Sequence, residues 1–128
     1  MLENARREGL RRLFAGRLAG YCERVRDEQT AIEEVGRRLV AEAPGARVIL
    51  YGSHARGSAS PHSDIDVLVI EPDVDDTALE SVRLMRAVRD LRLPVEIVVV
   101  SEREAAEWRD VRGSLVHAAL AEGRDLAA

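Results

Sequence analysis

The sequence predicts an α+β domain in which three short apolar strands alternate with helices. The strands are predicted from aliphatic runs at 47–51, 65–70 and 94–100, which are separated by stretches rich in glycine, proline, serine and aspartate. The helices are predicted from apolar residues at three- and four-residue steps. At 128 residues the chain has the length of a single domain with one core. The expected order of elements is α-β-α-β-α-β-α.

Helix ends are predicted from capping residues. Thr30 is expected to cap the first helix of the domain, which ends before the Pro44-Gly45 turn. After the third strand, Ser101 and Glu104 fit a capping box, and Gly113-Ser114 leads into a last helix. The expected apolar face of the first helix consists of Ile32, Val35, Leu39 and Val40. The helix after the second strand is expected to have an apolar side with Leu79, Val82 and Met85, and a basic side with Arg86 and Arg89.

Residues 1–28 are expected to form a helical extension in front of a domain at 29–128. The first 26 residues contain seven arginines against three glutamates, so this segment is basic. Its pattern is that of an amphipathic helix whose polar face is solvated or docks an acidic partner or nucleic acid. The apolar positions are Leu10, Leu13, Phe14, Leu18, Tyr21 and Val25.

Composition narrows the class of protein. Aromatic residues make up only 3% of the chain, which argues against single-stranded nucleic acid as a partner because that binding depends on stacking platforms. Cys22 is the only cysteine, so no internal disulfide is expected and a reducing cytoplasm is the predicted location. The longest aliphatic runs are about four residues, too short to span a bilayer.

The most informative segment is GSHARGSASPHSDIDVLVI at 52–70. Because strand side chains alternate, Asp64 and Asp66 are expected on one side of the strand, roughly 6.5 to 7 Å apart. Two carboxylates at that spacing suit a divalent cation, and burying them without one is costly. Mg²⁺ is the expected ion, since it typically uses one or two carboxylates together with water and substrate phosphates.

The turn before this strand is predicted to bind phosphate. Gly52 follows the first strand and allows the backbone to approach a ligand closely, and the Ser53 hydroxyl adds a donor. A short helical turn is expected through His54, Ala55 and Arg56. A Walker-type phosphate loop is excluded because it requires lysine, and all 19 basic residues are arginine.

These residues resemble the minimal nucleotidyltransferase (MNT) proteins of the DNA polymerase β superfamily. The shared pattern is G-S, ten residues, then D-x-D, with an A-R-G continuation that Ala55, Arg56 and Gly57 match. The resemblance extends over residues 30–123 and implies a mixed sheet flanked by helices. It also implies a third carboxylate on a later strand, for which Glu96 in PVEIVVV is the candidate, although the family usually has aspartate there.

The resemblance implies a Mg²⁺-dependent transfer of AMP from ATP. Because 128 residues leave no room for an acceptor domain, the acceptor is expected to be a hydroxyl of a partner protein, with a HEPN ribonuclease encoded nearby as the leading candidate. The alternatives are a module that neutralises its partner by contact alone, and a dimeric drug nucleotidyltransferase, which leaves homo-oligomers open. The expected catalytic residues and metal ligands are Asp64, Asp66 and Glu96, and the expected nucleotide-binding residues are Gly52, Ser53, Arg56 and Ser63.

Several other polar residues are interpreted as structural. His54 and His62 are expected to be solvated, and the acidic cluster at 73–76 is expected at the surface. Glu96 has an alternative interpretation as an ion-pair partner of Arg56. Arg112 and His117 match the R-x4-H signature of HEPN ribonucleases, but the predicted strands exclude that all-helical fold.

Overall fold

A computed structural model describes residues 28–126 of the chain. The predicted basic extension lies almost entirely outside the described residues. The described residues from Glu33 onward belong to one compact unit, which contains every strand found in residues 28–126.

The described elements alternate as the sequence predicts, and the α+β class is confirmed. A 3-10 turn at Arg89–Leu91 follows the third helix. The first helix already includes residue 28, so Thr30 lies inside it and the predicted cap is wrong. The elements are α1 over residues 28–42, β1 Arg47–Tyr51, α2 Ser53–Arg56, β2 Ile65–Glu71, α3 Thr77–Val88, β3 Val95–Ser101, α4 Glu102–Trp108, α5 Leu115–Glu122 and β4 Arg124–Asp125.

The strands form one mixed sheet in the order β3-β2-β1-β4. β1 is antiparallel to both β2 and β4, and β2 is parallel to β3. β4 consists of two exposed residues with no apolar pattern, which explains why the sequence does not reveal it. Backbone pairing alone defines it, since Leu50 lies opposite Arg124 and Ile49 opposite Asp125.

Helices cover both faces of this sheet. On one face, Ile49, Leu68 and Ile70 pack with side chains of α4 and α5. The other face carries α3, and Arg38 joins α1 to this layer by bonding the Ala87 carbonyl and Asp90. β2 is buried along most of its length, because it is an inner strand of a sheet that helices cover on both faces.

The predicted apolar face of α3 is wrong. Leu84 and Val88 are buried, whereas Leu79 is 68% exposed and Val82 is 49% exposed. Both pairs occur at helical spacing on nearly opposite sides, so periodicity alone cannot choose between them. In the structure, the side of α3 that carries Leu84 is the buried one. Asp76 caps the start of the same helix, where its carboxylate accepts hydrogen bonds from two backbone N–H groups.

The caps of the last two helices are confirmed. Ser101 and Glu104 form the reciprocal capping box of α4, and the Ser114 hydroxyl accepts a hydrogen bond from the backbone N–H of His117 in α5. In the described part of the chain, every helix is too short or too polar to cross a membrane.

Glu71 and Glu80 form an acid pair at the end of β2 that is distant from Asp66. Burial, followed by the neighbouring Glu80, raises the pKa of Glu71 to about 7. The Arg83 guanidinium, which lies 2.7 Å from the Glu80 carboxylate, lowers the pKa of Glu80 to about 2. Between about pH 2 and pH 7 the pair therefore keeps one proton, held by Glu71, while Glu80 stays ionised beside Arg83.

We expect this pair to make stability fall as the pH rises. Between the ordinary glutamate pKa of 4.5 and about 7, the folded chain keeps a proton on Glu71 that the unfolded chain has lost. Glu71→Gln keeps the donor at every pH, so its melting temperature should exceed that of the wild type increasingly from pH 5 to pH 8. Thermal unfolding at several pH values measures this difference, with exposed Asp73→Asn as the control. A constant difference across the range would contradict the shared proton.

Candidate active site

Strand register places three polar side chains in one row across the sheet. Asp66 of β2 lies opposite Tyr51 of β1 and beside Glu96 of β3. Paired residues point to the same face, and that face also carries Leu68, two residues further along β2. We call Tyr51, Asp66 and Glu96 the site row, and the sheet surface that carries them the site face. The predicted proximity of Glu96 to the D-x-D motif is therefore observed.

Gly52 joins β1 to α2 in a conformation that favours glycine. Its φ is 78° and its ψ is −156°, and it occupies the N-cap position of α2. A Cβ added at Gly52 would overlap the Oδ2 atom of Asp66. The backbone of the G-S turn thus lies directly against the carboxylate of the site row.

Ser53 and Arg56 are the first and last residues of α2. Ser53 is half-buried next to Gly52, and its contact with phosphate stays a prediction. The Arg56 Nη1 atom donates to the Glu122 carboxylate at 3.0 Å, at the end of α5. Arg56 is thus paired with Glu122, whereas the sequence had offered Glu96 as its alternative partner.

The loop between α2 and β2 is held by its serines and by His54. The Ser63 hydroxyl accepts a hydrogen bond from the backbone N–H of Ser60 at 2.8 Å. His54 Nε2 lies 3.3 Å from the Ser63 carbonyl oxygen and is half-buried, so the prediction of a solvated His54 is wrong. His62 is exposed, as expected. Ser63 therefore lies one residue before Asp64 in a loop that is tied back to α2.

Negative charge accumulates at the site row. Burial, then the hydrogen-bonding contact with Glu96 and the charges of Glu96 and Asp64, raise the pKa of Asp66, while His54 opposes the shift. Burial, followed by the charges of Asp66 and Glu96, raises the pKa of Tyr51 to about 12. The site is thus acidic and would favour a bound cation.

The residues present fit a partly substrate-held Mg²⁺ ion. Asp66 is half-buried, whereas Asp64 and Glu96 are exposed. Across residues 28–126, no three His, Cys, Asp or Glu side chains are gathered into a ready-made metal-binding group. Carboxylate oxygens with excess negative charge suit Mg²⁺, which commonly takes one or two carboxylates and completes its shell with water and phosphate. The three predicted ligands therefore supply suitable donors, of which strand pairing brings Asp66 and Glu96 together.

Sequence reasoning missed two residues of the site. Tyr51 belongs to the site row, and its position directly before Gly52 at the end of β1 was the available signal. His54 reaches the loop before Asp64, but no spacing rule predicts that contact. His117 of the R-x4-H match makes a local structural contact, since its Nδ1 lies 2.9 Å from the carbonyl oxygen of Arg109.

A family model for the nucleotidyltransferase domain matches residues 31–121. This span covers most of the chain and includes the G-S turn, the D-x-D motif and Glu96. The chain belongs to the nucleotidyltransferase domain family. Among curated proteins, none matches this nucleotidyltransferase significantly.

Solved structures similar to this nucleotidyltransferase include two toxin–antitoxin complexes. One, crystallised with AMP-PNP, is 22% identical, covers 73% of this chain and 70% of that chain, and has a TM-score of 0.54, which shows a shared fold. The other, a mutant of the pair MntA-HpeT, is 24% identical, covers 69% and 65% of the two chains, and has a TM-score of 0.45.

A third structure is of a protein assigned as a minimal nucleotidyltransferase. It is 32% identical to this chain, covers 81% of this chain and 94% of that chain, and has a TM-score of 0.46. The sequence identity extends over nearly the whole of that protein. The family match over residues 31–121 confirms the resemblance to nucleotidyltransferases predicted from the motif.

We expect Gly52→Ala to destabilise the domain more than Gly57→Ala. Both glycines have a φ of 78°, but a Cβ at Gly57 meets no atom within 4 Å, whereas one at Gly52 overlaps Asp66. Gly57→Ala should lower the free energy of unfolding by about 1 kcal/mol, and Gly52→Ala by about 2 kcal/mol or more, in urea titrations.

The overlap can be separated from the backbone strain by a double-mutant cycle. Asp66→Ala removes the carboxylate, so Gly52→Ala should cost less in that background than in the wild type. Equal costs in the two backgrounds would show that Asp66 contributes nothing to the requirement for Gly52.

Proposed function

We propose that this protein transfers AMP from ATP to a hydroxyl of a partner protein in a Mg²⁺-dependent reaction. The observation that carries the proposal is the site row. Asp66 and Glu96 lie side by side on adjacent parallel strands, and Gly52 abuts Asp66 from the other side. A turn suited to phosphate and a pair of carboxylates therefore share one position, which is what nucleotidyl transfer requires.

The residues divide into a nucleotide group and a reacting group. Gly52 and Ser53 contact the β- and γ-phosphates, with Arg56 and Ser63 completing the nucleotide contacts. When bound by the carboxylates of Asp64, Asp66 and Glu96, Mg²⁺ supplies positive charge that neutralises the phosphates.

The acceptor oxygen attacks the α-phosphorus in line. One P–O bond forms to the acceptor while the bond to pyrophosphate breaks, and Glu96 takes the hydroxyl proton. The protein's contribution is to hold the two reacting groups in line, so most of the rate enhancement is expected from positioning and charge rather than from a covalent intermediate.

The partner is proposed to be a HEPN-type toxin encoded nearby, with this protein as its antitoxin. The nucleotidyltransferase match occupies residues 31–121, so little else remains among the described residues to bind an acceptor. The similar toxin–antitoxin structure with AMP-PNP supports both an adenine nucleotide and a toxin partner. The proposed division places the catalytic domain at 29–128 and leaves 1–28 as an extension with a docking role.

A second candidate function is neutralisation by contact alone. It is favoured by the fact that, in the part of the chain that the structure describes, the carboxylates are not gathered into a ready-made metal-binding group. In that case the site would bind nucleotide weakly and the partner would be silenced without modification.

The decisive experiment is the intact mass of the partner. After incubation of both proteins with ATP and Mg²⁺, each transfer should add about 329 Da to the partner, because the α-phosphoryl group moves with its nucleoside. The Asp64→Asn, Asp66→Asn protein keeps the side-chain volumes but loses both charges, so it should leave the partner mass unchanged and bind ATP and Mg²⁺ more weakly in calorimetry.

Two outcomes separate the candidates. A stable, neutralised complex with no gain in mass would support contact alone, and transfer by the double variant at the wild-type rate would refute the assignment of the two aspartates.

We expect Glu96 to be required for transfer through its charge. Glu96→Gln should abolish transfer, whereas Glu96→Asp should retain or increase it, because aspartate is the residue common in the resembled family. Since the side chain is exposed, neither change should shift the melting temperature by more than about 2 °C. An active Glu96→Gln protein, measured by the same mass assay, would rule out the catalytic role.

A further inference from the structure

A cluster of exposed apolar side chains lies where α4 ends and α5 begins. Trp108 is 49% exposed, Val111 42% and Leu115 39%, which makes them three of the five large apolar residues exposed within residues 28–126. We call Trp108, Val111 and Leu115 the Trp108 patch. Grouped exposed apolar side chains of this kind are typical of interaction sites, whereas single ones are not.

Backbone hydrogen bonds fix the shape of this patch. The Val111 N–H donates to the Trp108 carbonyl at 3.0 Å, and the Ser114 N–H donates to the Val111 carbonyl at 3.1 Å. The Ser114 hydroxyl also donates to the Trp108 carbonyl at 3.1 Å. Two successive tight turns therefore fix the short backbone segment that carries the three apolar residues before any partner binds, which lowers the entropy cost of docking.

The patch belongs to the helical layer on the site face. Ala105 of α4 and Val116 and Ala119 of α5 pack on the same sheet face that carries Asp66 and Glu96. α5 then runs to Glu122, which binds Arg56 beside the G-S turn. A protein that approaches the site row from this side therefore meets the α4–α5 layer.

Basic side chains flank the patch. Arg109 and Arg112 are exposed on either side of Val111, and neither forms an ion pair with another residue in the 28–126 range. Two exposed acids lie nearby: Asp110 stands between the two arginines, and Glu107, beside Trp108, is paired with Arg103 at 3.8 Å. The rim is net positive, which favours a partner that carries acidic side chains around an apolar centre.

We propose that the Trp108 patch is the surface on which the acceptor protein docks. Apolar side chains of the acceptor cover Trp108, Val111 and Leu115, and its acidic side chains meet Arg109 and Arg112. Tryptophan and arginine are the residues that most often dominate binding energy at interfaces. The inference rests on the proposed function, to which it adds the docking surface and the chemistry of the partner.

The helix α3 provides a matched control surface. Leu79 and Val82 are at least as exposed as the patch residues, but they belong to α3, which packs on the opposite face of the sheet. Replacing them removes a comparable apolar area without touching the α4–α5 layer. Any general effect of lost surface hydrophobicity should therefore appear equally in the α3 variant.

The experiment compares two double variants of the full chain in adenylylation of the HEPN-type protein encoded nearby. Trp108→Ala with Val111→Ser should lower kcat/KM for the protein acceptor at least about tenfold, as loss of a central interface tryptophan does. ATP binding, measured by calorimetry, should not change. Leu79→Ser with Val82→Ser should keep kcat/KM for the same acceptor within about twofold of the wild type.

A direct readout is available because Trp108 is the only tryptophan in the chain. Incorporated 5-fluorotryptophan gives one ¹⁹F resonance, which should shift when the acceptor protein is added and should not shift when the labelled chain alone is concentrated. A shift on self-concentration would assign the patch to a second copy of the chain and overturn the proposal.

The remaining outcomes separate the docking surface from the reaction. Wild-type transfer with no ¹⁹F shift, or with equal losses in the patch and α3 variants, would overturn the patch and leave the proposed function intact. A ¹⁹F shift that the acceptor induces without any gain in mass would support the docking surface and refute transfer. If the two proteins formed no complex and no transfer occurred, both the docking surface and the proposed function would be overturned.

Discussion

The contact between Asp66 and Glu96 is the constraint on which the rest of the site depends. Burial, followed by the contact with Glu96, raises the pKa of Asp66, so the neighbouring carboxylate opposes the ionisation of Asp66. Parallel pairing of β2 with β3 runs unbroken from Ile65 to Glu71, so the two groups can separate only if the register shifts. A one-residue shift would exchange the buried residues of β2 between the two packed faces of the sheet, with Val67 and Val69 in place of Leu68 and Ile70 against α4 and α5. Hydrophobic burial along the strand therefore holds the two charges together.

The turn beside these charges is shaped by the same packing. Gly52 brings the backbone against Asp66, and the end of α5 closes on the neighbouring strand. A Cβ at Gly123 would overlap the Ala119 carbonyl and the Ile49 side chain, so this glycine permits a close approach of α5 to β1. Glu122, at the end of α5, can then form an ion pair with Arg56, the last residue of α2. The helix α5 is thus part of the framework that positions the G-S turn.

Local signals in the sequence predict much of this arrangement. The strands and the capping box at Ser101 depend on neighbouring residues, and the structure contains both, whereas Asp64 lies just before β2 and its alternation with Asp66 stays a prediction. Features that depend on distant pairing could not be predicted: β4 has no apolar pattern, and Arg56 meets Glu122 only because α5 returns to β1. The face of α3 was predicted wrongly because the helix carries two apolar pairs, and tertiary packing selects between them.

The two ends of β2 show why only one of them is suited to a reaction. Each end has a carboxyl group with a raised pKa, Asp66 at one end and Glu71 at the other. Glu71 shares its proton with Glu80, and Arg83 supplies the compensating positive charge from within the fold. At Asp66 the nearest charged groups are Glu96 and Asp64, with only His54 acting in the opposite direction. The charge at that end is therefore left to be balanced by something the protein binds, and a cation with nucleotide phosphates meets this requirement.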